Sequence, residues 1–565
     1  MYDREFLKRL QESVGEWETT TLKEKLAKVK ENRTEFTTGS GEFRVERIYT
    51  PADTAGTDFH EDVGLPGQYP FTRGIDPVGY RGFRSPLGFY AGYGSGESAN
   101  RRYRQLYAAG SRDIGLALDL PTQLGLDSDD SLSEGEVGKV GLAIDTVADL
   151  ERALKGIPLS GLKTGTVGNC IGPWALALFI VLCERTSLPP LKLGIRIQND
   201  PFKEYTGRGT YIFNPTVAVD LASDVVAYMH EHLPHWEPQW SCTTTMRWGG
   251  CTASQEVAFG IANLLCYAEA AQAKGVKLED YLPRVDLHMS ADNDLFEEVA
   301  KFRAARRLWA RIAEKAFKTR DPSVLSLRIS TYTAANRLTA REPLNNIIRS
   351  TMHVLAAMLA GIDHVTAAAY DEALALPTFE SARLASLTKH ILHHENGIGN
   401  TVDPLGGSYF LESLTNQMEE KAREGVEEIR KMGGAKAAIE SGYYLKEMAN
   451  GQYRNQKEIE SGERKVVGVN TFVLDRKMEI PLFKGDSKGE AKQIERLNRV
   501  RRKREKGRVE ASLDALSRAA ARKAKGESLN IVPAMLEAVR VHATEGEIFG
   551  ALRKVYGEYK PPIVF

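Results

Sequence analysis

The stretch QWSCTTTMRWGG, Gln239 to Gly250, gathers thiol, hydroxyl, guanidinium and indole groups within a few residues. Cys242 and Cys251 could form a redox or metal pair. The five cysteines (170, 183, 242, 251 and 266) contain no CxxC, however, and read more simply as reduced thiols, these two as small buried residues. The run Cys242-Thr243-Thr244-Thr245 says more. It has strand character but cannot fill space, and TGTVGN, ISTYTAAN and VTAAAYD repeat the pattern. Whichever alternate set of these residues points inward is small. An underfilled interior costs on the order of 24 cal/mol per Å3 of cavity, and hydroxyls facing an apolar void go unpaired. The chemistry implied is binding, with a long, thin ligand on the axis. Close packing of helices outside explains one such strand, four less easily.

The elements that must hold these residues alternate. Strand candidates are GFRSPLGFYAG, DIGLALDL, LKTGTVGN, LKLGIRIQND, QWSCTTTM, RVDLHMS, SLRISTYT and DHVTAAAY, with helical patterns such as GPWALALFIVLCERT between them. Eight strand–helix units predict an α/β fold, a (β/α)8 barrel with a hollow axis; an open doubly wound sheet is the competing form. The reading divides the 565 residues into an N-terminal helix and arm (1–45), the barrel (46–410) and a helical C-terminal region (411–565) that packs on the barrel and on a partner. Lys+Arg and Asp+Glu are both 75, which argues against a nucleic-acid binder. The basic run RLNRVRRKREKGR is flanked by acidic residues and reads as a solvated helix face. No apolar run reaches the ~18 residues of a membrane span, and MYDREFLKRLQE is not a signal peptide, so a cytoplasmic location is expected. The end, KPPIVF, reads as an extended docking tail.

LPGQYPFTRGI (65–75), FYAG (89–92), LDLPTQLGLDSD (118–129), GEVGKVGLAIDT (135–146), IQND (197–200), FRAARRLWA (302–310), DEALALPT (371–378), DPLGGSYF (403–410) and VGVN (467–470) follow one another in an order that resembles the large subunit of adenosylcobalamin-dependent acyl-CoA mutases, the methylmalonyl-CoA mutase family. The resemblance implies a CoA arm threading the barrel and a radical carbon-skeleton rearrangement, with the chemistry supplied by the cofactor. The family's cobalt-ligating D-x-H-x-x-G is missing; Asp286-Leu287-His288-Met289-Ser290-Ala291 is a near miss on a barrel strand. A separate small cobalamin-binding subunit is therefore expected, in a heterodimer or heterotetramer, and the resemblance admits a G-protein chaperone.

By motif position, Tyr90 matches the tyrosine against the corrin, Gln198 a residue contacting the thioester carbonyl, and Arg208 the arginine that pairs with a free substrate carboxylate. Glu372 matches a ribose-binding carboxylate; Leu118, Gln123, Ala373 and Leu376 fall at cofactor-facing motif positions. Arg73, Arg196 and Arg284 are candidates for the CoA phosphates. The departures are as specific. Where the family has S-G-Y-H-x-x-E, this chain has TTTMRWGG, so Thr245 replaces the His and Trp248 the Glu, with Arg247 or Thr245 left to reach the thioester oxygen. Tyr332 replaces a glutamine, Thr366-Ala367-Ala368-Ala369 replaces H-T-N-S, and Pro86-Leu87-Gly88-Phe89 replaces T-I-R-Q. The carboxylate reader is kept. The pocket gains room at Ala368 and aromatic surface at Phe89, Trp248 and Tyr332. The expected substrate is a succinyl-CoA- or malonyl-CoA-type thioester bearing an aryl or alkyl substituent larger than methyl. Ordinary methylmalonyl-CoA mutase activity is the alternative; a non-catalytic, degenerate subunit is the alternative from another class.

Overall fold

Short β-branched runs ended by Gly, Asn or Asp become strands, and the longer apolar patterns between them become helices. In the computed structural model, residues 2–31, 33, 35–82, 88–362, 364–475, 478–486 and 488–562 are described. Pro86 and Leu87 of the altered segment, and the last three residues of the expected tail, lie outside them. The strands are β1 (Gly88–Ala91), β2 (Asp113–Leu116), β3 (Lys163–Val167), β4 (Gly194–Gln198), β5 (Gln239–Cys242), β6 (Val285–Ala291), β7 (Ile329–Thr333) and β8 (His364–Thr366). All pairing is parallel and in chain order, in two four-stranded sheets, β1–β4 and β5–β8. A parallel bridge between Arg196 and Glu237, with Glu237 N–H donating to Ile195 O at 2.8 Å, ties β4 to the approach of β5. No pairing joins β8 to β1 among the described residues. The fold is therefore α/β with parallel sheets, and the expected count and order of strands are present.

Each sheet has its own apolar layer beneath helices. Ile114, Leu116, Ile195 and Ile197 pack with Trp174 of the helix Gly172–Arg185, and with Met535 and Phe549 of the C-terminal helices. Leu287, Met289 and Ile329 pack with the helices Ala253–Ala273 and Leu295–Phe317, and with Leu414 and Met418 of the helix Tyr409–Lys431. The basic run sits on the helices Gly489–Lys503 and Lys506–Ala524, where Arg501 pairs with Asp127 and Asp129 and Arg504 with Glu547. Among the described residues no helix is long and apolar enough to cross a membrane.

The register corrects the picture of what faces the axis. The threonines of β3 and β7 belong to the set that points toward the helices. Thr164, Thr166 and Thr331 each bond the carbonyl of their register partner, Ile114, Leu116 and Met289, at 2.8–2.9 Å. Their hydroxyls are satisfied within the sheet and need no ligand. The opposite face carries Tyr90, Gly115, Gly165 and Arg196 on the first sheet, and Trp240, Cys242, His288, Ser330, Tyr332 and His364 on the second. Arg196 reaches over side-chain-free Gly165 to pair with Asp113 and stacks 4.9 Å from the Trp240 ring. Trp240 lies 5.7 Å from His364, so β5 and β8, at opposite edges of their sheet, touch across the interior. One wall is thus small and the other aromatic. β5 also ends sooner than expected, and Thr244–Trp248 forms a helical turn.

Candidate functional site

The inward residues at the carboxyl ends of the strands, with the loops that follow, form the site. Tyr90 is 48 % exposed, yet desolvation pushes its hydroxyl up to about 12. Tyr90 stands opposite Gly115 in the register, its ring against that side-chain-free position. The Arg208 guanidinium works against that rise, which places it within electrostatic reach of Tyr90. Arg208 closes the turn Glu204–Arg208, and Gly209 follows in the left-handed region at φ 81°. It is exposed and has no ion-pair or hydrogen-bond partner among the described residues. Beside it, Gly207 is crowded by Thr245: a Cβ there would fall onto Thr245 Oγ1. That buried hydroxyl oxygen has no hydrogen-bond partner of its own.

Gln198, at the end of β4, is 8 % exposed. Its Oε1 accepts from Lys203 Nζ at 2.8 Å and from Asn169 Nδ2 at 3.4 Å, and Nε2 has no partner among the described residues. Asn169 also bonds Glu204, which bonds Thr210. The sequence reading missed this group. Its trace is Lys203 five residues after Gln198, on the helical turn that β4 feeds. Across the space, Trp248 stands edge-on to Tyr332 with centroids 5.7 Å apart and donates to Ser290 Oγ at 3.0 Å. The Tyr332 hydroxyl lies 3.1 Å from both Glu372 carboxylate oxygens, and Ala369 N–H donates to one of them at 3.2 Å. Burial pushes Glu372 up to about 7, while the Tyr332 and Ala369 bonds hold it down. Ala368 is buried next to this carboxylate's loop and Ala373 is exposed on it; Leu376 is partly covered.

Other expected residues lie elsewhere. Arg247 does not face the strand ends. It is 5 % exposed, its Nη2 stands 3.5–3.6 Å from Asp292, Glu297 and Glu298, and its Nη1 donates to Cys251 O. Phe89 alternates with Tyr90 and so packs with the helix-side apolar cluster. Arg196 is held on the inward face of its sheet by Asp113. Arg73 pairs with Asp403 at 3.0 Å, a carboxylate that Arg303 also holds. Arg284 lies before β6, at the opposite end of the strands, donating to Asp280 O and Trp236 O. Leu118 is core, and Gln123 Nε2 bonds its carbonyl at 2.6 Å, leaving Gln123 Oε1 buried without a partner. Cys242 and Cys251 are both free and buried. His288 is on the inward face of the second sheet: Trp240 stacks on it at 5.4 Å, Ser330 Oγ lies 2.7 Å from Nδ1, and burial lowers it to about 3.

A phenol (Tyr90), an amide (Gln198), a carboxyl (Glu372) and a cation without a partner among the described residues (Arg208) lie at or just after the carboxyl ends of β1, β4 and β8. Groups of this kind can hold a carboxylate and a carbonyl. The whole chain has relatives. Residues 38–558 match the methylmalonyl-CoA mutase family. The chain is 37 % identical over 558 residues to the 2-hydroxyisobutanoyl-CoA mutase large subunit of Aquincola tertiaricarbonis, covering 99 % of this chain and 98 % of that one. It is 36 % identical over 551 residues to a methylmalonyl-CoA mutase of Rhizobium meliloti, covering 97 % and 76 %. It is 36 % identical over 518 residues to the mitochondrial methylmalonyl-CoA mutase of Mus musculus, covering 91 % and 68 %.

Proposed function

Because the chain belongs to the methylmalonyl-CoA mutase family, and is therefore an isomerase of the acyl-CoA mutase type, we propose that it rearranges a dicarboxylic acyl-CoA whose substituent is larger than methyl. The observation that carries this is Arg208, exposed, without an ion-pair or hydrogen-bond partner among the described residues, and within electrostatic reach of the Tyr90 hydroxyl. A free guanidinium at the rim of a partly desolvated space binds a substrate carboxylate in bidentate fashion. Gln198, its carbonyl end held by Lys203, presents its amide to the thioester oxygen. Trp248 and Tyr332 bound the side where the substituent lies.

In this reading the two sheets close into a (β/α)8 barrel and the pantetheine runs down the side lined by Gly115 and Gly165, past Arg196 and Trp240. Adenosylcobalamin is the cofactor, and the chemistry it supplies when bound is radical initiation by hydrogen abstraction. The residues present fit it. Tyr90 offers an open ring face at the strand ends, and Glu372, held by Tyr332, offers a carboxyl for ribose hydroxyls. The likeness to a relative named as a large subunit supports a separate small subunit that brings the cobalt ligand. Tyr90 shields the reacting space from water, Arg208 and Gln198 orient the acyl group, and Glu372 positions the sugar.

Ordinary methylmalonyl-CoA mutase activity is the second reading, favoured by the relatives of that name and equally consistent with Arg208. The deciding experiment reconstitutes the chain with a small cobalamin-binding subunit and adenosylcobalamin. It is then assayed with methylmalonyl-CoA, aryl- and alkylsuccinyl-CoAs and 2-hydroxyisobutanoyl-CoA. Turnover confined to the monocarboxylic thioester, or absent from an intact complex, overturns the proposal; preference for methylmalonyl-CoA selects the second reading.

A further inference from the structure

Behind Trp248, away from Tyr332, lies a second cavity that the proposed reaction does not use. It is small, with a cavity volume of about 30 Å3. The N-terminal arm forms one wall: Gly39 N–H donates to Asp294 at 2.7 Å and Ser40 N–H to Glu297 at 3.0 Å. The helix Tyr443–Ser461 forms another, pressed so close at Gly451 that a Cβ there would fall onto Gly250 O. Four guanidinium groups line the cavity, those of Arg247, Arg337, Arg454 and Arg464, against one carboxylate, Glu458.

The cations are not equally committed. Arg464 is held by Glu458 and Gly39 O. Arg337 is held by Asp292 at 2.9 Å and by Asn455 at 3.1 Å. Arg247 is backed by three carboxylates, yet its buried Nε donates to nothing. Arg454 is exposed and has no ion-pair or hydrogen-bond partner among the described residues. The neighbouring carboxylates offset Arg247, Arg337 and Arg464, so what remains for a ligand is the unspent Arg247 Nε–H and the Arg454 guanidinium, donors that one small oxyanion can take together. We propose that this cavity is a binding site for a small oxyanion, the phosphate or carboxylate group of a metabolite, with Arg454 closing over it. Trp248 is shared by this cavity and the acyl-CoA site, so occupancy is visible in its fluorescence.

The test titrates the full-length chain with inorganic phosphate and, separately, malonate, followed by calorimetry and tryptophan emission, with sodium chloride at matched ionic strength as the control. Saturable binding of either anion at one site per chain is expected, and the two arms tell a phosphate source from a carboxylate source. Arg454→Glu should weaken that binding at least tenfold, and Arg454→Ala less in the same direction. Lys457→Glu, on the same helix but stacked on Tyr453 and outside the lining, should leave it unchanged. This pattern also separates the cavity from any phosphate held elsewhere on the chain. Binding that chloride reproduces, or that survives Arg454→Glu undiminished in a folded protein, overturns the proposal.

Discussion

The Tyr332 hydroxyl sits equidistant, at 3.1 Å, from the two oxygens of Glu372, so a strand-seven phenol holds a carboxyl on the loop after strand eight. Desolvation lifts Glu372 to about 7, and the Tyr332 bond is the largest force opposing that rise. If the ionised form receives the ribose hydroxyls, activity should climb with pH through about 7. Tyr332→Phe should move that limb upward, and Glu372→Gln should abolish it; kcat/KM against pH reads all three. Stability follows the same group with the opposite slope. The folded state keeps a proton that the unfolded chain releases at the ordinary carboxylate value. The contribution is therefore present below that value and lost as pH rises to about 7. Urea unfolding should show the wild type losing stability across this window and Glu372→Gln losing less.

Arg208 makes a different prediction, one about substrates. A charge-assisted contact with a carboxylate is worth roughly 1.5–3 kcal/mol, or about 10- to 150-fold in kcat/KM. Arg208→Gln should lower kcat/KM for dicarboxylic thioesters by that amount and leave monocarboxylic ones nearly untouched. Equal losses on both would remove Arg208 from carboxylate recognition.

Arg247 tests the opposite kind of role. It is buried among Asp292, Glu297 and Glu298, all 5 % exposed or less. Removing it strands negative charge without solvent, a loss of about 3–5 kcal/mol for a buried pair. Arg247→Ala should therefore shift the denaturant midpoint strongly. An unchanged midpoint with collapsed turnover would return Arg247 to the reaction.

Much of this was legible because strands announce themselves locally. All eight predicted runs contain a strand, and Tyr332 and Glu372, forty residues apart, meet at 3.1 Å. What failed was orientation and long-range pairing. Thr164 and Thr166 look alike whether they face a bore or a helix; only the register shows their hydroxyls spent on Ile114 and Leu116. Phe89 could have been excluded, since neighbours on a strand face opposite sides, and Tyr90 already faced in. The same alternation from Cys242 points to Trp240 as an inward residue. Arg247 could not be placed, because its carboxylates arrive from the β6 loop and the helix Leu295–Phe317.

Trp248 carries the last prediction, on specificity. Its indole is fixed at one end by the bond to Ser290 Oγ at 3.0 Å and at its side by the Tyr332 edge. A side chain held by both a directional bond and an aromatic contact defines a wall rather than a filler. Trp248→Phe keeps the wall and loses the bond, so Tyr332 should stay in place and the ranking of substrates should hold, with a modest loss of rate. Trp248→Ala removes the wall, and Tyr332 with Glu372 loses its lateral support. The ratio of kcat/KM for the bulkiest to the smallest dicarboxylic thioester should then change by at least tenfold. If that ratio is the same in wild type, Trp248→Phe and Trp248→Ala, the substituent does not lie against this residue, and the side of the pocket that reads it must be sought at Ala368 instead.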